Sequence, residues 1–392
     1  MPDFAPFRAI RYDTDRVDLA DVTAPPYDVI DDDHRARLAA RHPNNVVRID
    51  LPADEDGLDR YAVARHLLED WQREGVLVRD DEPALYVHTM GYRDDQGRPR
   101  QTTGVLGALE LRSPGDGILP HEHTTPKAKS DRLDMLRSCR ANLSAVWGLS
   151  PVDGLSELLR IDDPPIAAWT DEDGVHHRFW RLERPGVVAT IREAVASEPV
   201  VIADGHHRYE TSLQYRDELG EPGPADHVLV YLVELAAEQL TVQPIHRLLS
   251  GLPDDLDLPA ALGEFFDLFD AGPPGETLAA RMEDAGALAL VTPDGAWLAR
   301  PRAEAMQGVR DLDSSRLDRA REELPAHEVT FQHGTANALE AVRDGRAQAA
   351  VLLRPATVDQ ITDIAHGGER MPPKTTFFSP KPPTGLVLRS LE

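Results

Sequence analysis

Lysine is nearly absent from this chain: only four of its 42 basic residues are lysine, and the others are arginine. Cysteine is rarer still. Cys139 stands alone, which excludes an intramolecular disulfide and any metal site built from several thiolates. No apolar run approaches the ~18 residues that a membrane-crossing helix needs. The opening MPDFAPFRAIRYD lacks a basic start followed by an apolar stretch, so no signal peptide is expected. The chain therefore reads as soluble and cytoplasmic, with no membrane partner. Positive charge is scarce as well, since 68 Asp and Glu face 42 Lys and Arg for a formal charge of −26. Such a surface repels DNA and anionic lipid, so no nucleic-acid partner is expected. An anionic ligand would need a small local positive site.

What is present is ordinary for a globular protein. The 392 residues are 41% hydrophobic and 28% charged, enough for two or three domains with a sizeable core. The opening is rich in Pro and Asp, with turns, a short helix over 35–41 and a strand over 45–51. Apolar positions recur at helical spacing over 58–74, and Gly75 stops them. ALYVHTMGYRDDQGRPRQTTGVLGALEL reads as a hairpin. A helix over 131–140 is expected with Ser130 as its N-cap. A strand at HHRFWRLER, with a solvated His176-His177 pair, precedes a helix over 187–197. PVVIAD is a strand, YETSLQYRDELG a helix, and HVLVYLVEL and LTVQPIHRLL two further strands. Beyond GLPDDLD at 251–257, helices and strands alternate. The expected class is α/β, with a main region over 1–251 and a C-terminal α/β lobe over 252–392.

The most informative segment is VVIADGHHRYETSLQYRDEL. A strand ends at Asp204, Gly205 permits a tight turn, and a helix begins at once. Backbone N–H groups and the positive end of the helix dipole then point at one spot. Arg208 adds a planar guanidinium suited to phosphate or carboxylate, and His206 and His207 can donate hydrogen bonds or move protons. The alternatives are a plain strand–turn–helix, or a metal site formed by Asp204, His206 and His207. Adjacent histidines rarely face one ion, which weighs against the metal. His246 and Arg247 in VQPIHR are candidates for the same pocket.

A second segment, HEHTTPKAKSDRL, holds Lys127 and Lys129, two of the four lysines. Glu122 between His121 and His123 is a natural general base or Mg²⁺ ligand. On a strand the two histidines would share a face and could bind metal. The bland alternative is a polar loop capping a helix. The other lysines, Lys374 and Lys381, sit in MPPKTTFFSPKPPTG, where prolines stiffen the backbone and two phenylalanines anchor it. Two close pairs are not what scatter by drift would leave. The favoured reading is a rigid strap presenting Lys374, with Thr375 and Thr376, to an anion pocket.

In order along the chain, PFRAIRYD, APPYDVI, HEHTTPKAKSDRL, ANLSAVWGL, ADGHHRYETS, LTVQPIHRLL and MPPKTTFFSPKPPTGL resemble the serine-kinase-like family known as domain of unknown function 1015. The corner at Gly205, His207 and Arg208 is similar to the phosphate-binding box of the ParB and sulfiredoxin superfamily. His206 holds the place of sulfiredoxin's reactive cysteine, so that redox chemistry is not expected. The resemblance implies a ParB/sulfiredoxin-like mixed-sheet core and a kinase acting on a small hydroxyl compound, free L-serine first, with ATP or ADP as donor and Mg²⁺ as cofactor.

On that reading Asp204, Gly205, His206, His207, Arg208 and Lys374 bind phosphate or nucleotide. Glu122, His121, His123 and Lys127 carry the chemistry, and Tyr27, Asp28, His246 and Arg247 meet the substrate. Two rivals stand beside it: a metal-dependent phosphatase or hydrolase built on His121, His123, Asp204 and His206, and a nucleotide-binding switch or scaffold without turnover. A homodimer is left open.

Overall fold

The computed structural model describes residues 1–54, 57–94, 97–120, 127–275, 277–367 and 369–392, with the side chains of all but 127–130, 365 and 366. The chain is α/β and forms two compact units, Met1–Thr241 with Pro380–Glu392, and Val242–Ser379. The final segment thus belongs to the first unit, not to the C-terminal lobe in which the sequence reading places it. Pairing explains this. Leu388 bridges to Ile10, Thr384 bridges to Ala24, and Arg389–Ser390 pairs antiparallel with Ala141–Asn142. Leu386, Val387 and Leu388 are buried there.

The first unit is built on a mixed nine-stranded sheet. Its centre is the antiparallel hairpin Leu85–Arg93 and Pro99–Glu110, flanked by His227–Glu234 on one side and His176–Leu182 on the other. His227–Glu234 continues parallel to Val146–Ser150, which pairs antiparallel with Val200–Asp204. Val228 to Val233 form an unbroken apolar run at 0–2% exposure. Such a run without alternation is what a strand covered on both faces requires.

Two details of this unit depart from the sequence expectations. Residues 45–51 hold the helix Val47–Asp50 in place of a strand. The Asn45 amide accepts from Val47 N at 3.0 Å and donates to Asp21 O at 2.7 Å, so a side chain organises the turn. His177 is buried, whereas His176 is exposed. His177 Nε2 meets Asp171 Oδ2 at 3.0 Å and its Nδ1 meets His88 Nε2 at 3.0 Å. With Asp171 held ionised, His177 donates to it from Nε2, and His88 then donates to His177 Nδ1.

The second unit has a seven-stranded sheet with Thr241–Ser250 pairing antiparallel to both Glu328–His333 and Ala349–Leu352. Two apolar clusters pack in this unit, one around Leu249, Phe266 and Leu317 and the other around Leu248, Leu278 and Ala341. Leu248 and Leu249 are neighbours on one strand and so point to opposite faces, which places a cluster on each side of the sheet.

Candidate functional site

The strand Val200–Asp204 is buried except at its end, and its register with Val146–Ser150 shifts between Ile202 and Asp204. That irregularity brings Asp204 to the strand's exit. Gly205 follows with φ +85°, a left-handed conformation that L side chains rarely adopt. It occupies the N-cap position of the helix His206–Leu219 and supplies no side-chain cap to the first turn. Gly220 ends the helix in a second left-handed conformation.

Asp204 is the hub. Its Oδ2 accepts from Arg208 Nη2 at 2.6 Å and its Oδ1 accepts from Lys381 Nζ at 2.7 Å. Lys381 Nζ also donates to Asp28 Oδ2 at 2.5 Å. Arg208 Nη1 donates to the carbonyl of Ala145, while its Nε is buried without a hydrogen-bond partner among the described residues. Tyr27, in the turn Tyr27–Val29 after Pro25 and Pro26, lies under two guanidinium groups. Arg132 is 3.9 Å from its ring centroid and Arg208 is 6.0 Å away. Arg132 Nη1 in turn donates to Asp50 O at 3.0 Å and to Asp50 Oδ1 at 3.2 Å.

Three carboxylates and three cations therefore meet in this corner. Burial alone would raise the Asp204 carboxyl, but Lys381 and Arg208 outweigh it and hold the group down at about 2. Burial would likewise lower the Lys381 ammonium, and Asp204 and Asp28 raise it instead. Asp50 is pushed up by burial against the pull of Arg132. Lys381 and Arg208 are thus firmly charged, beside a helix start that is itself weakly positive.

Of the sequence candidates, Tyr27, Asp28, Asp204, Gly205 and Arg208 are brought together, with His206 and His207 opening the same helix. Glu122, His121 and His123 lie outside the described residues, as do the side chains of Lys127 and Lys129. The helix bearing those lysines runs Lys127–Cys139, so Ser130 is inside it and does not cap it. This helix packs on His206–Leu219 through Leu133, Leu136 and Tyr215.

Lys374, His246 and Arg247 belong to the second unit. Lys374 is exposed and left-handed at φ +59°, while Thr375 and Thr376 are buried and not presented outward. Sequence reasoning missed Arg132, Asp50 and above all Lys381. The lysine census did contain Lys381, but it favoured Lys374.

His246 is fully engaged where it stands. Its Nδ1 accepts from Leu353 N at 3.2 Å, which fixes the proton on Nε2, 3.2 Å from Thr335 Oγ1. Only the neutral ring satisfies both contacts. Burial first, then Arg247 and His333, lower the ring to about 4. The unfolded chain binds this proton near pH 6.5 and the folded chain does not. The contribution to stability is therefore complete above about pH 6.5 and is lost as pH falls toward about 4. Denaturant midpoints measured across that range should fall with acidification, and His246→Phe should flatten the slope.

Among the described residues no group of three or more His, Cys, Asp or Glu side chains could hold a metal ion. Both Asp204 oxygens already face cations, which opposes ligation of another. Among the described residues, too, no helix is long and apolar enough to cross a membrane.

Fold and site together define a mixed-sheet α/β protein whose charged corner opens at a helix start. The chain belongs to the family described as Protein of unknown function (DUF1015), whose model matches residues 4–315. No curated protein matches it. Among solved structures it is similar to a free serine kinase variant in complex with AMP, at TM-score 0.41 and 16% identity over 74% of this chain and 92% of that one. A conserved hypothetical protein from Pyrococcus furiosus gives TM-score 0.38 and 15% identity, over 72% of this chain and 94% of that one. SbnI with a C-terminal truncation, from Staphylococcus aureus, gives TM-score 0.40 and 12% identity, over 72% and 87%.

Proposed function

We propose that the chain is a phosphotransferase that moves a phosphoryl group from ATP or ADP to the hydroxyl of a small metabolite, with free L-serine as the first acceptor to test. One observation carries the reading: a helix start without a side-chain cap stands beside two firmly charged cations, Arg208 and Lys381, that share Asp204. A phosphate meeting that corner finds amide donors and the positive end of the dipole beside two cations. Asp28 is exposed, and among the described residues only its Oδ2 meets Lys381, which leaves Oδ1 for a substrate ammonium.

In this reading the substrate hydroxyl oxygen attacks the terminal phosphorus, the bond to the donor's bridging oxygen breaks, and the shortened nucleotide leaves. Glu122 takes the hydroxyl proton, and Lys127 offsets charge on the moving group. Glu122, the candidate Mg²⁺ ligand, lies outside the described residues, and no step is assigned to Mg²⁺. His246 has both ring nitrogens engaged and receives no role, and none is given to Arg247 or Lys374.

The test incubates the pure chain with ATP, ADP or pyrophosphate, Mg²⁺ and pooled hydroxyl metabolites. Phosphorylated product above an enzyme-free control is expected, and Arg208→Ala should slow its formation at least about 100-fold. If no donor yields product the kinase reading fails, and bound nucleotide without product would favour the switch or scaffold.

A further inference from the structure

We propose that the second unit pairs with the same unit of another copy of this chain, edge to edge along the strand Glu328–His333, to form a homodimer. This strand ends the seven-stranded sheet. It pairs with Thr241–Ser250 on one side, and among the described residues no strand lies on its other side.

Its neighbour fixes which backbone groups face outward. Gln348 N donates to Leu249 O at 2.9 Å, so Leu249 turns its carbonyl toward Ala349–Leu352. Successive residues of a strand turn these groups to opposite sides. Leu248 and Ser250 therefore face the outer strand and exchange bonds with Thr330 and Glu328. Val329 and Phe331, between and beyond them, hold their N–H and C=O groups out from the sheet. Side chains are open there too. Glu328 and Thr330 are exposed, and Phe331 is 47% exposed although Arg247 lies 4.7 Å from its ring centroid.

Sheet edges are normally guarded by shortness, charge, proline or a bulge. The opposite edge of this sheet, Phe266–Asp270, carries Asp267 and Asp270. The first unit's sheet ends in strands of three and four residues, Ile118–Pro120 and Ala167–Thr170. Glu328–His333 has six residues, no lysine and no proline, and its register with Thr241–Ser250 is unbroken. It is an unguarded template for another strand.

The side chains say which strand fits. A chain of charge −26 repels its copies over most of its surface, but this strand carries a single carboxylate. Antiparallel pairing about a two-fold axis at Thr330 sets Val329 opposite the partner's Phe331 and Thr330 opposite the partner's Thr330. Aromatic with β-branched and hydroxyl with hydroxyl are both favourable cross-strand pairs. Glu328 then meets the partner's Gln332, whose amide can donate to it. No carboxylate faces another. The Val329 and Phe331 pairs exchange the backbone bonds that the sheet leaves outward. His333, whose ring centroid is 4.3 Å from that of Phe377, lies beyond the paired stretch.

Sedimentation of the pure full chain tests this. An edge contact is a small interface, so the mass should rise from monomer toward dimer with Kd of about 10–100 µM. Thr330→Glu and Thr330→Lys each set like charges against each other at the axis and should weaken self-association at least about tenfold. An equal mixture of the two should restore a dimer at least as tight as the native one, because only this register brings residue 330 against its own copy. A native chain that stays monomeric at about 500 µM, well above that Kd, overturns the proposal. So does a variant that self-associates as the native chain does, or a mixture that stays monomeric. None of these readouts depends on phosphoryl transfer, so the two proposals fail separately.

Discussion

Lys381→Met should lower the free energy of unfolding at neutral pH by about 3 kcal/mol, the scale for removing one partner of a buried ion pair. The Lys381 side chain is 9% exposed and its ammonium serves two carboxylates. The two losses are unequal. Asp28, 39% exposed, can turn to water, whereas Asp204 is 22% exposed and must stay beside Arg208. The penalty therefore concentrates on Asp204.

This makes the effect dependent on pH in a defined direction. The Asp204 carboxyl is held at about 2, below its ordinary range, so its contribution is complete above about pH 4 and is lost as pH falls through 2. Without Lys381 the group sits higher and that contribution shrinks. The gap between native and variant protein should then be widest at pH 7 and should narrow near pH 3. Urea titrations at the two pH values measure it, and an equal gap at both would mean that lost packing, not charge, is the cause. Lys381→Arg should fall between, since a planar fork cannot place one point charge between two separate carboxylates.

The same network explains what could be read in the sequence. The strand, Gly205 and helix of the corner were legible because each signal is local: an apolar run, a glycine, then helical spacing closed by Gly220. The bond from Lys381 to Asp204 joins residues 177 apart, and no spacing rule reaches that far. The scarcity of lysine located the right segment, yet between two lysines in one Pro-rich stretch nothing local favours Lys381. Arg132 was hidden by its commonness among arginines. Asp50 was hidden by a misread element, because VVRI suggests a strand and the Asn45 side chain makes a helical turn. His177 was read as solvated from its charged neighbours, but strand alternation turns it inward while His176 and Arg178 stay out. Local chemistry thus marked the donors of the corner, and tertiary folding chose their partners.

Gly205→Ala should cost more than its backbone angle alone explains. A non-glycine residue in the left-handed region costs about 1–2 kcal/mol. At this position the added Cβ would also lie 2.9 Å from Arg208 Nε and 3.0 Å from its Cζ. The guanidinium would have to move, loosening its bonds to Asp204 and to the Ala145 carbonyl, for about 1–3 kcal/mol more. A double-mutant cycle separates the two costs. In an Arg208→Ala background the clash is gone, so Gly205→Ala should then cost only the backbone share. Urea unfolding of the four proteins measures the coupling. Strict additivity would mean that Arg208 yields without cost and that Gly205 serves only the turn. A coupling of about 1 kcal/mol or more would show that the glycine is there to let the arginine lie against the backbone, holding the helix start open.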